Sequence, residues 1–467
     1  MRWHIIAALL ACALPLSSAI NGARKLSSAE QADSHETSGA GSKETSVNTS
    51  PGGRGENLLL KKARESALKA TVLRERQTAS GLLAATRLFR ESSRLFAASR
   101  SYDEAADSHL QIGEIYLILS EFDKAQKSFD EALKVAQDLE LRCRALSDIA
   151  RTYATAGSYS LADNYSRQAL SLCENLSERA QAEALEARGE VLHSGGDYSG
   201  SADCLRRARG LYVAAKDDNG QAQALLMLAY ALFQGGERLA ALQAAGEALR
   251  LWSSAENHFG IAQVHAALGT FAILTGEFET AQCNYRIAKP LFHEIGDRDE
   301  EASVLNGLGY ANRATGDWQK SLEYYQSGKA AFAAVGDLQG EHEAISGMGE
   351  ALTAMKNYKR LLPMYLVDLR LGRKANAPWM IASAFSNIAS AHEAESRFTK
   401  AEAFYRRSLE AYRAADHIYG ESDTLIRIGH LQAIQGKYAE AIASFERANA
   451  FYLWKSFCEC NGIFKCL

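Results

Sequence analysis

A repeat of about 40 residues runs through most of this chain and limits its fold more than any other feature. Leu305 to Tyr325, LNGLGYANRATGDWQKSLEYY, shows the unit: two amphipathic segments joined at a Gly-Asp turn. With Trp318 as anchor, Gly309 stands nine residues before it, Leu308 ten before and Tyr325 seven after. The same frame fits Phe122, Tyr159, Tyr198, Arg238, Phe278, Tyr358, Phe398 and Tyr438, with steps of 37, 39 and then 40 residues. A fixed period of this length means stacked helical hairpins, none of which can bury its apolar face alone.

Small residues recur three and ten positions after the anchor, as at Ala125 and Ala132, Ala241 and Ala248, and Ala281 and Ala288. A methyl group at those positions lets two helices approach closely. Large residues follow at plus seven, among them Phe129, Leu205, Tyr285, Tyr365 and Tyr405, and are expected to fill the gap to the next hairpin. The expected fold is all-α: a right-handed superhelical solenoid of about nine to ten antiparallel helix hairpins. Only five prolines in 467 residues agree with that.

The recurring set G-x2-Y, then G-[DE]-[YFW]-x2-A-x3-[FY]-x2-A, resembles the tetratricopeptide repeat family. Gly113, Tyr116, Phe122, Ala125, Phe129 and Ala132 carry it in the first repeat, and Gly429, Gly436, Tyr438, Ala441, Phe445 and Ala448 in the last. The 40-residue step, longer than the family's common 34, is similar to repeats of kinesin light chains, LGN-type adaptors and bacterial proteins joining such repeats to a CHAT protease domain. The resemblance spans residues 105–453 and implies a fold and a protein- or peptide-binding role, not an activity.

Around the array the chain divides by composition. Residues 1–19 join a basic start to an apolar run ending in Ser17-Ser18-Ala19, the pattern of a secretory signal peptide. The run is too short for a transmembrane span, so the expected location is periplasmic or secreted. Cys12 sits in a lipobox-like context, but the apolar run continues through Leu14 and Leu16, which weighs against lipid anchoring. Residues 20–56, rich in Ser, Gly and Thr, read as a disordered linker. A sequon at Asn48 has the standing of a chance match in such a stretch. Residues 57–104 read as a helical cap or degenerate repeat, with a basic face (Lys61, Lys62, Arg64, Lys69, Arg74, Arg76) expected to be solvated. Residues 454–467 read as an irregular cysteine-containing tail. Pro290 and Pro363 should kink second helices, and repeat seven, with Leu361 and Asp368 at small-residue positions, should pack irregularly.

No catalytic constellation stands out. H-E-x-x-H, G-x-S-x-G and the phosphate-binding G-x4-G-K-[ST] are missing from the sequence, and no cofactor or metal is expected. Cys458, Cys460 and Cys466 have a spacing that fits no common zinc site. The other mature cysteines, Cys143, Cys173, Cys204 and Cys283, show no pairing logic and read as small buried hydrophobes. A formal net charge of −4 gives no general attraction to nucleic acid or to anionic membrane. Nothing points to a small-molecule substrate or to an enzyme.

What remains is a surface. The first helix of each hairpin should line a groove at positions fifteen, twelve, eight, five and four before the anchor. Arg144, Arg151, Glu190, Tyr230, Phe233, Asn306, Tyr310, Arg313 and Glu350 fall there. Exposed polar residues on a helix are commonly only solvated. The pair Tyr230/Phe233 and the trio Asn306/Tyr310/Arg313 nonetheless supply the aromatic, amide and guanidinium groups that anchor peptides. Tyr310 and Arg313 lie outside the repeat's packing set and should be replaceable without loss of stability. The expected function is a protein-interaction scaffold. The competing reading, that the chain is the sensor portion of a truncated CHAT-type protease effector, rests on the same resemblance.

Overall fold

The computed structural model describes residues 51–75, 79–119, 121–415 and 417–460. The signal-type segment, Cys12, Asn48, the linker up to residue 50 and Cys466 lie outside them. Twenty α-helices are described. The N-terminal pair is α1 (Pro51–Glu75) and α2 (Ala79–Ala98). Hairpins one to three are α3 (Tyr102–Ile118) with α4 (Phe122–Val135), α5 (Leu139–Thr155) with α6 (Tyr159–Cys173), and α7 (Glu178–Ser194) with α8 (Tyr198–Ala214). Hairpins four to six are α9 (Asp218–Gln234) with α10 (Arg238–Ser254), α11 (His258–Thr275) with α12 (Phe278–Ile295), and α13 (Arg298–Ala314) with α14 (Trp318–Val335). Hairpins seven to nine are α15 (Leu338–Ala354) with α16 (Leu361–Lys374), α17 (Pro378–Ala394) with α18 (Phe398–Ala414), and α19 (Ile418–Ile434) with α20 (Tyr438–Cys460). The fold is all-α, a tetratricopeptide-like array of about ten helix pairs.

The contacts divide this array into two compact units. One comprises the described residues up to Val304 together with Ala334–Asp337, the other Leu305–Ala333 with the described residues from Leu338 onward.

Two devices set the helix boundaries. Asp138, Ser177, Asp197, Asp217 and Asn257 accept hydrogen bonds at helix N-termini from backbone N–H groups three residues on. Glycines such as Gly276 (φ 83°) and Gly296 (φ 80°) take the left-handed conformation that ends the preceding helix. Asp297 then accepts from the Glu300 N–H at 3.3 Å, as its spacing predicts.

The small positions are buried as expected, Ala125, Ala241 and Ala281 among them. The large residues at plus seven meet the next hairpin as expected, Phe129 packing with Ala145 and Ile149 and Tyr405 with Leu425 and Ile428. They also pack back onto the glycine of their own hairpin: a Cβ on Gly269 would sit 2.7 Å from the Tyr285 ring, and one on Gly309 2.9 Å from Tyr325. A second plug, not read from the repeat frame, stands at plus fourteen. Tyr212, Trp252 and Tyr412 are buried there and fill space over Gly220, Gly260 and Gly420 of the next first helix.

Other expectations compare as follows in detail. Pro290 does lie inside α12, but Pro363 falls in the first turn of α16, where a missing N–H costs nothing. Repeat seven is irregular where expected, with a 3₁₀ turn over Tyr358–Arg360. The last helix runs on to Cys460, past the end of the repeat pattern, and the first begins at Pro51.

Candidate partner-binding face

The N-terminal candidates turn toward one another. Arg151 on α5 donates from Nε to Glu190 on α7 at 2.8 Å and from Nη1 to Asp148 at 3.2 Å. Arg151 is 6% exposed and Glu190 5%. Arg144 donates to Glu114 on α3 at 2.8 Å, and Arg74 on α1 reaches the same carboxylate at 3.2 Å. Position minus eight therefore alternates in sign along successive hairpins: Arg74, Glu114, Arg151, Glu190. These are buried pairs, and burial of charge is tolerated only with such partners. Arg74 is accordingly part of the wall, not of a solvated basic face, whereas Lys61, Lys62, Arg64 and Lys69 are exposed.

The wall closes most tightly between hairpins two and three. Their first helices meet, with Ala150, Ala154 and Val191 in a shared core. Glu186 is caught in that contact, 6% exposed, with the Tyr212 hydroxyl donating to Oε2 at 3.1 Å and Oε1 without a partner. Burial pushes its carboxyl up to about 8; Glu190 and Glu183 add to the rise, while Arg151 and Tyr212 oppose it. Burial also holds the His193 imidazole down at about 4.

Tyr230 and Phe233 are half-buried and engaged with hairpin five. Phe233 stacks on Phe271 at 4.3 Å between centroids, and Tyr230 meets the same ring edge-on at 5.2 Å. Burial raises the Tyr230 phenol above its usual range. Their rings serve hairpin packing first.

The C-terminal candidates are presented more openly. Asn306, Tyr310 and Arg313 follow one another along α13 at helical spacing. The Arg313 guanidinium lies over the Tyr310 ring, 4.6 Å from its centroid, and meets the carboxylate of Glu350 on α15. Glu350 is 55% exposed and Arg313 21%. The Asn306 side-chain oxygen has no hydrogen-bond partner. Tyr310 also packs on the core of hairpins seven and eight, so it does belong to the packing set.

The same face continues in residues the sequence reading passed over. Asn387 on α17 donates to Ser346 on α15 at 3.2 Å, and Arg427 on α19 donates to Ser390 at 3.3 Å and to Asp423 at 2.7 Å. Their signal was available, since Asn387 and Arg427 share position minus eleven, a position left out of the groove frame. Among the described residues no group of His, Cys, Asp and Glu could hold a metal ion, and no helix is long and apolar enough to cross a membrane.

Residues 104–175 and 380–453 match the family profile described as "Tetratricopeptide repeat". Those two stretches are tetratricopeptide repeats. Solved structures with the same fold include the STAND protein of Pyrococcus horikoshii with a tetratricopeptide repeat sensor. It is 13% identical with a TM-score of 0.54, over 90% of this chain and 68% of that one. Another is the apo quorum sensor NprR of B. thuringiensis, 11% identical with a TM-score of 0.52, over 75% of this chain and 99% of that one. At such identities the likeness is one of fold. No curated protein sequence matches this chain.

Proposed function

We propose that this chain is a non-catalytic, exported interaction protein that holds a protein or peptide partner against the first-helix face formed by Asn306, Tyr310, Arg313 and Glu350. One observation carries the reading: a guanidinium held flat over an aromatic ring beside a mostly exposed carboxylate, on positions that hairpin packing does not require to be charged. Arginine and tyrosine are the side chains that dominate binding when desolvated, at about 2 kcal/mol or more each. The 40-residue step, similar to that of kinesin light chains, LGN-type adaptors and CHAT-associated proteins, supports an interaction role, and the N-terminal pattern of residues 1–19 supports export.

The test is partner capture from the native host with wild type, Arg313→Ala and Glu350→Ala. Arg313→Ala should weaken capture at least about tenfold with the fold retained. Unchanged recovery of the same partners by both variants refutes the assignment of this face. Export is checked separately by the mature N-terminus, expected near Ile20. The like-folded proteins named as a tetratricopeptide repeat sensor and a quorum sensor agree with a second reading, that the repeats are the sensing part of a CHAT-type effector. Genomic sequence beyond Leu467 encoding a catalytic His and Cys would favour it.

A further inference from the structure

Three hairpins, one, two and seven, lack the aromatic plug at plus fourteen (Ala136, Cys173 and Gly372), and two of them, two and seven, carry a different fastening in its place. In hairpins three, four and eight the plug is Tyr212, Trp252 or Tyr412, seated over a glycine eight residues on. Hairpin two has neither half of that device: Cys173 stands at plus fourteen and Gln181 where the glycine would be. Hairpin seven has the reverse arrangement, Gly372 facing buried Met380. These two hairpins also have an unusual residue sixteen before the anchor. That position is alanine in hairpins one, three, four, five, six and eight and serine (Ser422) in hairpin nine, but Cys143 in hairpin two and His342 in hairpin seven. In both, the unusual residue reaches across to its own second helix. His342 Nδ1 meets the Asp368 carboxylate at 2.6 Å, and Cys143 is joined to Cys173 as a disulfide.

The cysteine pair is therefore not two small hydrophobes, as its sequence positions suggest. The Cα atoms are 6.1 Å apart, inside the range a disulfide requires. Both residues are buried in a core shared with Leu146, Ala169 and Ala184, the last from α7 of the next hairpin.

We infer that oxidation of Cys143 and Cys173 takes the place of the missing aromatic plug, so that hairpin two closes fully only after the chain has met a disulfide-bearing oxidant. Closure moves two electrons and two protons to that oxidant. One cysteine thiolate attacks the oxidant's disulfide, forming a mixed disulfide and releasing one of its sulfurs as a thiol. The second cysteine then attacks the mixed disulfide, and the oxidant's other sulfur leaves as a thiol. Such bonds persist in extracellular or periplasmic surroundings and not in a reducing cytosol. The inference stands on the hairpin's own geometry, independently of partner binding.

Peptide mapping without reductant, on full-length protein recovered from an oxidising compartment, should find Cys143 linked to Cys173. Reduction with a phosphine should then lower the Tm by about 5 °C or more. It should also raise hydrogen exchange in α5 and α6 while leaving α11 and α12 unchanged, because repeats couple chiefly to neighbours. The Cys143→Ala/Cys173→Ala variant should match the reduced wild type under both conditions. Free, alkylatable thiols at both positions in the oxidised protein would overturn the inference. So would a linked pair whose reduction leaves α5 and α6 exchange unchanged.

Discussion

Glu186→Gln isolates the cost of a carboxylate shut into the wall between hairpins two and three. Glu186 is nearly fully buried, accepts a hydrogen bond from Tyr212, and has one oxygen without a partner. The neighbouring cation, Arg151, is already bonded to Glu190 and Asp148. The carboxyl titrates at about 8 in the fold against 4.5 as its ordinary value. An acid whose folded value is raised is favoured in its neutral form. Its contribution is intact below pH 4.5 and is lost progressively as pH rises through about 8. The whole interval corresponds to a ceiling of about 5 kcal/mol, and relaxation around the site brings the expected effect to about 2–4 kcal/mol. Glutamine keeps the acceptor for Tyr212 and removes the titration. The variant should match wild type at pH 4.5 and exceed it in stability at pH 9. Urea unfolding at both pH values, read through hydrogen exchange in α7 and α8 because a repeat array is not strictly two-state, measures the difference. A wild type–variant difference that is the same at both pH values refutes the reasoning.

His193, held down at about 4 against an ordinary 6.5, works in the opposite direction. Its contribution is intact above pH 6.5 and is lost as pH falls toward 4, so His193→Gln should flatten the acid limb of a Tm–pH profile by up to about 3 kcal/mol. Ala281→Glu places a charge at a fully buried contact and should cost about 3 kcal/mol, seen as a lower thermal midpoint. Asp368→Ala leaves buried His342 without its acceptor and should cost about 1–3 kcal/mol. Adding His342→Ala restores the alanine found at that position in most other repeats and should recover part of the loss; a double-mutant cycle showing no coupling would contradict the pairing.

The sequence by itself determined the hairpins, their number and most of their boundaries, because these depend on local chemistry repeated in register. Glycine ends a helix and aspartate starts one wherever the chain presents them, and Ala281 is buried because its neighbours in the frame oblige it to be. The plug of Tyr212, Trp252 and Tyr412 over glycine was equally legible and needed only a longer frame. Tertiary structure decided which inner-face residues remain for a partner. Arg151 and Glu190 occupy the same position in successive repeats as Tyr310 and Glu350, yet the first pair is buried while Glu350 stays exposed. The difference follows from how near neighbouring first helices come, close enough between α5 and α7 to share a core. Cys143 and Cys173, 30 residues apart, were similarly opaque. Each is an unremarkable substitution within its own helix, and only the packing of α5 against α6 brings the two sulfurs together.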